Sequence, residues 1–185
     1  MSSWPLPPGV GGDAVFSPDG TYRYWLERSW DQTLPRFTYV LLNPSRAGVL
    51  EDDPTTRKVG SITAAHEGGG YVLVNLFASV DTHQTGLHRD TAAGESAEEN
   101  DCWVRAAVES SPRIVVGWGA GGGYAEHHGD RRRAIVRRAR NVWPVLERHD
   151  LWCVGYNRCG SPRHPGRGVP NNVHLRPYLP AGRYP

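Results

Sequence analysis

The chain has 185 residues, 38% of them apolar and 22% charged, enough for one domain whose core needs no disulfide or metal staple. No apolar run approaches the roughly 20 residues that cross a bilayer, so no membrane association is expected. A net charge of +2 is too small to demand a polyanionic partner.

Met1-Ser2-Ser3-Trp4-Pro5 carries neither the basic nor the apolar region of a signal peptide, so a cytoplasmic location is expected. Cys102, Cys153 and Cys159 are odd in number and lack C-x-x-C spacing. That pattern points to reduced thiols rather than a disulfide frame or a zinc site. Lys58 is the single lysine among 21 basic residues. Arginine suits phosphate and base contacts, but a GC-rich genome produces the same bias.

Taken in chain order, residues 1–12 are rich in Pro and Gly and read as an irregular arm. Ser17-Pro18-Asp19-Gly20 is a turn signal between two β-prone runs, so residues 13–30 are expected to form a β-hairpin. Residues 37–42 are β-formers without alternation, the pattern of a strand buried on both faces. Asp53-Pro54-Thr55 starts a helix that Gly68-Gly69-Gly70 stops, and residues 71–74 form the next buried strand.

Residues 79–94 read as a long polar loop. Ser96-Ala97-Glu98-Glu99 opens a second helix, with Cys102, Trp103, Ala106 and Ala107 toward the core. A third strand covers residues 113–116, and Asp130 caps a helix over residues 131–140 that Pro144 interrupts. The fourth strand is residues 151–154, and residues 169–185 form a tail wrapped on the surface. The alternation of strands and helices predicts a single α/β domain, residues 37–168 at its core. The expected architecture is three-layer α-β-α, with a central, mostly parallel four-stranded sheet plus the N-terminal hairpin.

Each of the four strands ends in a polar or glycine cluster. They are Asn43-Pro44-Ser45, Asn75-Leu76-Phe77, Gly117-Trp118-Gly119-Ala120, and Tyr156-Asn157 leading to Gly160-Ser161-Pro162-Arg163-His164-Pro165. Parallel strands would bring all four to one edge, where open α/β sheets bind ligands. Asn43 and Asn75 offer amides at strand tips, although Asn-Pro is also the common signature of an Asx turn. Phe77 can stack on a ring or pack in the core. His164, on a rigid Pro-flanked loop, can donate to a developing anion. Gly117, Gly119 and Gly122 match G-x-G-x-x-G, but the acid of a dinucleotide site is missing at the end of the following strand.

Together these clusters resemble the uracil-DNA glycosylase superfamily. Leu41-Leu42-Asn43-Pro44-Ser45 looks like the first motif of its mismatch-specific branch, and Val72-Leu73-Val74-Asn75-Leu76 is similar to the strand whose terminal Asn holds the base. Glu99, Cys102, Trp103 and the run from Pro112 to Gly119 resemble the helix and strand that follow, and Arg163-His164-Pro165 resembles the closing His-Pro-Ser motif. The order holds from about Phe37 to Gly168. The first motif lacks both glycines and the water-activating acid of the more active branches, and glycine follows His-Pro. No four-cysteine set exists for an iron–sulfur cluster.

A closer resemblance is to a family of uncharacterised bacterial and phage proteins. It is carried by Leu42-Asn43-Pro44-Ser45, Asp52-Asp53-Pro54-Thr55-x-Arg57-Lys58, Val74-Asn75-Leu76-Phe77-Ala78, Glu99-Asn100-Asp101 and Gly160-x-Pro162-Arg163-His164-Pro165.

The glycosylase resemblance implies a cofactor-free and metal-free hydrolase acting on an extruded, possibly modified base in DNA. In that reading Asn43 orients water and His164 stabilises the leaving base. Asn75 reads the base edge, and Phe77 or Tyr156 stacks on the ring. Ser45, Gly119, Arg163 and Arg167 meet the DNA. Two rivals use other chemistry: a non-catalytic base or nucleotide sensor with the same pocket, and a metal-dependent nuclease built on Asp52, Asp53 and Lys58.

Overall fold

The computed structural model describes residues 4–45, 47–80, 94–120, 128–166 and 168–180. Nine strands appear among them: β1 (Trp4–Pro5), β2 (Gly11–Phe16), β3 (Arg23–Ser29), β4 (Arg36–Leu41), β5 (Glu51–Asp52), β6 (Gly70–Asn75), β7 (Arg113–Val116), β8 (Leu151–Cys153) and β9 (Arg176–Pro177). Three helices join them, α1 (Pro54–Ala65), α2 (Gly94–Glu109) and α3 (His128–Leu146).

The main sheet has seven strands in the order β2-β3-β6-β4-β7-β8-β9. The four expected core strands do run parallel and adjacent, as β6-β4-β7-β8. The expectation of a four-stranded, mostly parallel sheet is nevertheless corrected, because the sheet is evenly mixed. The hairpin joins it when β3 pairs antiparallel with β6, Leu26 opposite Leu73. At the other edge the tail adds β9, antiparallel to β8. Every residue of β6 is buried, and so are five of the six in β4. Their unbroken apolar runs therefore serve both faces of the sheet.

One face carries α2 and α3. Val40, Val74, Ile114 and Val116 meet Val104, Ala107, Ala134 and Ile135 there. The other face carries α1, where Val59 packs with Phe37, Tyr39, Leu41, Tyr71 and Leu73. The helices change face where the chain reverses direction across the sheet, going from β4 out to β6 and back to β7. That reversal places a topological switch between β4 and β7.

Several local expectations need correction. The N-terminal arm is partly regular, because Trp4 and Pro5 pair with Asp52 and Glu51. The tail does more than wrap the surface, since Tyr178 is buried at 3% exposure and packs edge-on against Trp118. Helix α3 begins at His128 and continues through Pro144. Pro144 falls in its final turn, where burial of Leu146 keeps the helix in place. On α2 the core face is Val104, Ala107 and Val108, whereas Cys102 and Ala106 face solvent and Trp103 is half-buried. Most of the polar loop at 79–94, together with Gly121, Gly122, Gly123 and His127, lies outside the described residues. The three cysteines are free thiols.

Candidate functional site

Beyond the ends of the parallel strands the backbone ladder continues for a residue or two. Leu76 N–H donates to Leu41 C=O at 2.9 Å, Phe77 N–H to Leu42 C=O at 3.0 Å and Gly117 N–H to Val40 C=O at 2.9 Å. The segment after β8 then folds back over β7. Gly119 N–H donates to Pro162 C=O at 2.9 Å, and Arg163 N–H to Gly155 C=O at 2.8 Å. Gly119 sits at φ +79° beside His164, a conformation glycine adopts without strain.

Gly117 is where this fold-back is tightest. A Cβ there would lie 2.8 Å from Pro165 Cδ, 3.0 Å from Leu41 Cδ2 and 3.2 Å from Arg163 C=O. Gly117→Ala is therefore expected to lift the His164 loop off the sheet at a cost of about 1–3 kcal/mol, read as a lower denaturant midpoint. An unchanged midpoint and unchanged His164 ring resonances would show that the loop is not seated this way.

Downstream of β4, Asn43 is half-buried and its Nδ2 donates to the C=O of Pro44 at 3.0 Å. Ser45 Oγ donates to Asp53 Oδ2. Asp53 Oδ1 accepts the Thr55 and Thr56 N–H groups, each at 2.8 Å, and Thr56 Oγ1 takes the Asp53 N–H at 2.8 Å. This capping box starts α1, and Asp53, 3% exposed, thereby ties the first motif to the helix.

Asn75 ends β6. Alternation along the strand puts it on the α1 face with Tyr71 and Leu73. It is 1% exposed, and neither Oδ1 nor Nδ2 has a hydrogen-bond partner among the described residues. A buried polar group left in that state costs about 1–3 kcal/mol, which a fold does not carry without return. The peptide beneath is fixed from the other face. Asn100 Nδ2 donates to the C=O groups of Asn75 at 3.0 Å and Leu76 at 3.1 Å, and Arg138 Nε donates to Leu76 C=O while its Nη2 pairs with Asp101.

Arg23 opens β3. The β2–β3 register slips so that Val15 faces Trp25 and Phe16 faces Arg23, leaving Tyr24 as a bulge residue. Tyr24 and Trp25 both lie against Trp103 of α2, which turns Arg23 to the α1 side. There Nη1 donates to Ala47 C=O at 2.8 Å. Arg23 Nε has no partner among the described residues. Burial pulls its pKa down to about 10, opposed by the Asp53 carboxylate, so it stays cationic at neutral pH.

The His164 imidazole is half-buried, and burial drives its pKa from 6.5 down to about 4 against the opposing pull of Asp53. It is neutral at pH 7. Phe77 is 3% exposed and belongs to the core cluster. Tyr156 is exposed, stacks on Tyr178 at 5.7 Å and donates its hydroxyl to Pro177 C=O at 2.8 Å. Arg163 is exposed. Arg167 lies outside the described residues.

The three residues of the nuclease alternative each have structural work. Asp52 pairs with Arg28, Asp53 caps α1, and Lys58 Nζ donates to Val169 C=O at 2.7 Å and to Asn171. Among the described residues no group of three or more His, Cys, Asp and Glu is placed to hold a metal. A cavity of about 580 Å³ opens elsewhere, between the N-terminal arm and α1, with Trp4, Trp30 and Tyr71 in its walls.

Sequence reasoning thus finds the strand-end residues and misses Arg23, Arg138 and the double role of Asp53. Arg23 directly precedes the apolar run Tyr24-Trp25-Leu26, the one trace it leaves in the sequence.

No curated protein and no solved structure matches the chain, so the glycosylase resemblance rests on its motifs alone. The model of one protein family matches residues 23–166, the whole span from Arg23 to the loop that carries His164. The chain belongs to that family, whose description reads "Protein of unknown function (DUF1643)".

Proposed function

We propose that the edge formed by the ends of β4, β6 and β7 receives a base extruded from DNA and hydrolyses its N-glycosidic bond. The observation that carries this reading is the Asn75 carboxamide, buried with both poles unpartnered at the end of a strand next to the switch point. A carboxamide offers one donor face and one acceptor face in a plane. The edge of a nucleobase presents the complementary pair.

Asn43 orients a water toward the anomeric carbon. The water oxygen bonds to that carbon, the bond to the base nitrogen breaks with its electron pair left on the base, and the proton that the water gives up ends on the departing base. Neutral His164 donates its N–H to the charge that develops, as a preorganised dipole in a site poor in water. Phe77 forms part of the wall, Tyr156 offers a ring at the rim, and Arg163 faces solvent where phosphates would pass. Ser45 and Gly119 shape the backbone around them.

Duplexes carrying deaminated, oxidised and alkylated bases, incubated with protein and a chelator, should yield alkali-labile abasic sites. Asn75→Leu should lower base release by about a hundredfold. The same change should raise stability by about 1–3 kcal/mol, because it removes an unsatisfied buried amide. Base release that survives Asn75→Leu would sink this reading.

One observation favours a base sensor instead. Both oxygens of Asp53 are already committed, to the α1 cap and to Ser45, so this carboxylate is not disposed to activate water. Tight binding without an abasic product is the outcome expected of a sensor.

A further inference from the structure

We propose that the cavity between the N-terminal arm and α1 is a second ligand site, separate from the strand-end edge, and that it takes a flat aromatic molecule carrying one anionic group. The ring enters between Trp4, Trp30 and Tyr71, and the anionic group meets the Arg57 guanidinium. This inference does not depend on the base-binding reading.

The cavity measures about 580 Å³, within the roughly 300–1,000 Å³ of small-molecule sites. Helix α1 leaves the space open, because after Arg57 it contributes only Gly60, Ser61 and Ala64 to the lining. These four share one helical face, at i, i+3, i+4 and i+7. The Ser61 hydroxyl donates back to the Arg57 C=O at 3.0 Å, which keeps that wall largely apolar.

The aromatic walls are fixed before any ligand arrives. Tyr71 is 1% exposed and donates its hydroxyl to Thr56 C=O at 3.0 Å. Trp30 lies edge-on to it, with ring centres 6.3 Å apart. Trp4 is held where β1 pairs with β5, opposite Asp52, and by the Arg57 guanidinium 4.9 Å from its ring centre. A surface already ordered spares a ligand the entropy of ordering it.

Charge decides which aromatic molecule fits. Among the described residues three charged side chains line the cavity, Arg28, Asp52 and Arg57. Arg28 and Asp52 are buried and paired at 3.0 Å, so they offset one another. Arg57 is exposed, and its guanidinium has no ion pair or hydrogen bond among the described residues. Stacking on Trp4 uses the flat face of the guanidinium and leaves its edge, the N–H fork that matches a carboxylate or phosphate. Exposure falls from 37% at Trp4 to 1% at Tyr71. A ring therefore buries toward Tyr71, while its anionic group stays at the rim and keeps part of its hydration. A cationic group at that rim would face Arg57.

The test uses the full chain and probes built on one ring: 1-naphthylacetate, the neutral 1-naphthylacetamide, the cationic 1-naphthylmethylamine and 1-naphthyl phosphate. NMR titrations supply the dissociation constants. The acetate should bind about fivefold more tightly than the amide, as a bidentate pair at a half-exposed rim supplies. The amine should bind more weakly than the amide. The phosphate should also exceed the amide, and its rank against the acetate shows which anion the rim prefers. Arg57→Gln should bring the acetate-to-amide ratio near one. Ala64→Trp, at an exposed position, should fill the cavity and weaken every probe about tenfold. Circular dichroism confirms that both variants are folded.

Equal affinity for acetate and amide in the wild type, or tighter binding of the amine, overturns the proposal. So does an unchanged ratio in folded Arg57→Gln. Undiminished binding to folded Ala64→Trp would place the probes elsewhere and overturn it too, as would the absence of binding by every probe.

Discussion

Asp52→Ala is expected to destabilise the protein by about 3–5 kcal/mol, the cost of stranding a buried charge. Its partner Arg28 is 1% exposed, and Arg28 Nε meets Asp52 Oδ1 at 3.0 Å. Three of the four remaining guanidinium hydrogens go to the C=O groups of Glu27 at 2.8 Å, Gly48 at 2.7 Å and Glu51 at 2.9 Å. One side chain thereby binds β3 to the segment that leads from β4 into α1. Those carbonyls stay in place when Asp52 is truncated, but they carry only partial charge. The cation loses its counter-ion in a place water does not reach.

For a domain of this size the loss should appear as a fall of about 10 °C in Tm. The double change Arg28→Met with Asp52→Leu should recover much of it, since a buried pair contributes little net stability over apolar residues of similar volume. A loss below about 1 kcal/mol for Asp52→Ala would show that solvent reaches the pair. The same segment carries Ser45 and Asp53, so the base binding proposed above should weaken along with stability.

Stability should also fall as pH drops from about 6.5 to about 4, and His164 should account for up to about 3 kcal/mol of that fall. Burial depresses its folded pKa to about 4, below the ordinary value of 6.5. Between those values the unfolded chain binds a proton that the native state refuses, so unfolding stability rises with pH. The contribution is complete above about 6.5 and gone below about 4. Carboxylates titrate in the same range, so the comparison that isolates His164 is with His164→Gln. Denaturant midpoints at closely spaced pH values should give a shallower slope for the variant across this window. Equal slopes would place the imidazole in water, and the proposal of a neutral donor would fail with it.

The positions of chain segments were legible where short-range chemistry is decisive. The apolar runs of β4 and β6, the Asp53-Pro54 start of α1 and the Pro-Asp-Gly turn before β3 each act within a few residues. Tertiary packing overrode propensity at Pro144, where α3 runs on because Leu146 is buried beneath it. At α2, facing was decided by what the sheet offered, so Trp103 went to the hairpin aromatics and Val104 to the core.

The candidate site divides along the same line. Residue types and strand-end positions placed Asn43, Asn75 and His164 at one edge, because parallel pairing sends every carboxyl end the same way. Whether each has a partner could not be read from the chain. Asn43 turns to its own neighbour's carbonyl, Phe77 sinks into the core, and Asn75 stays buried and unsatisfied. Arg23 enters only through tertiary structure, since a one-residue slip between β2 and β3 decides which face its side chain takes. Local sequence determined which segments are strands and where their polar ends fall. Register and burial, which depend on residues distant in the chain, decided which of those ends are left with hydrogen bonds to give.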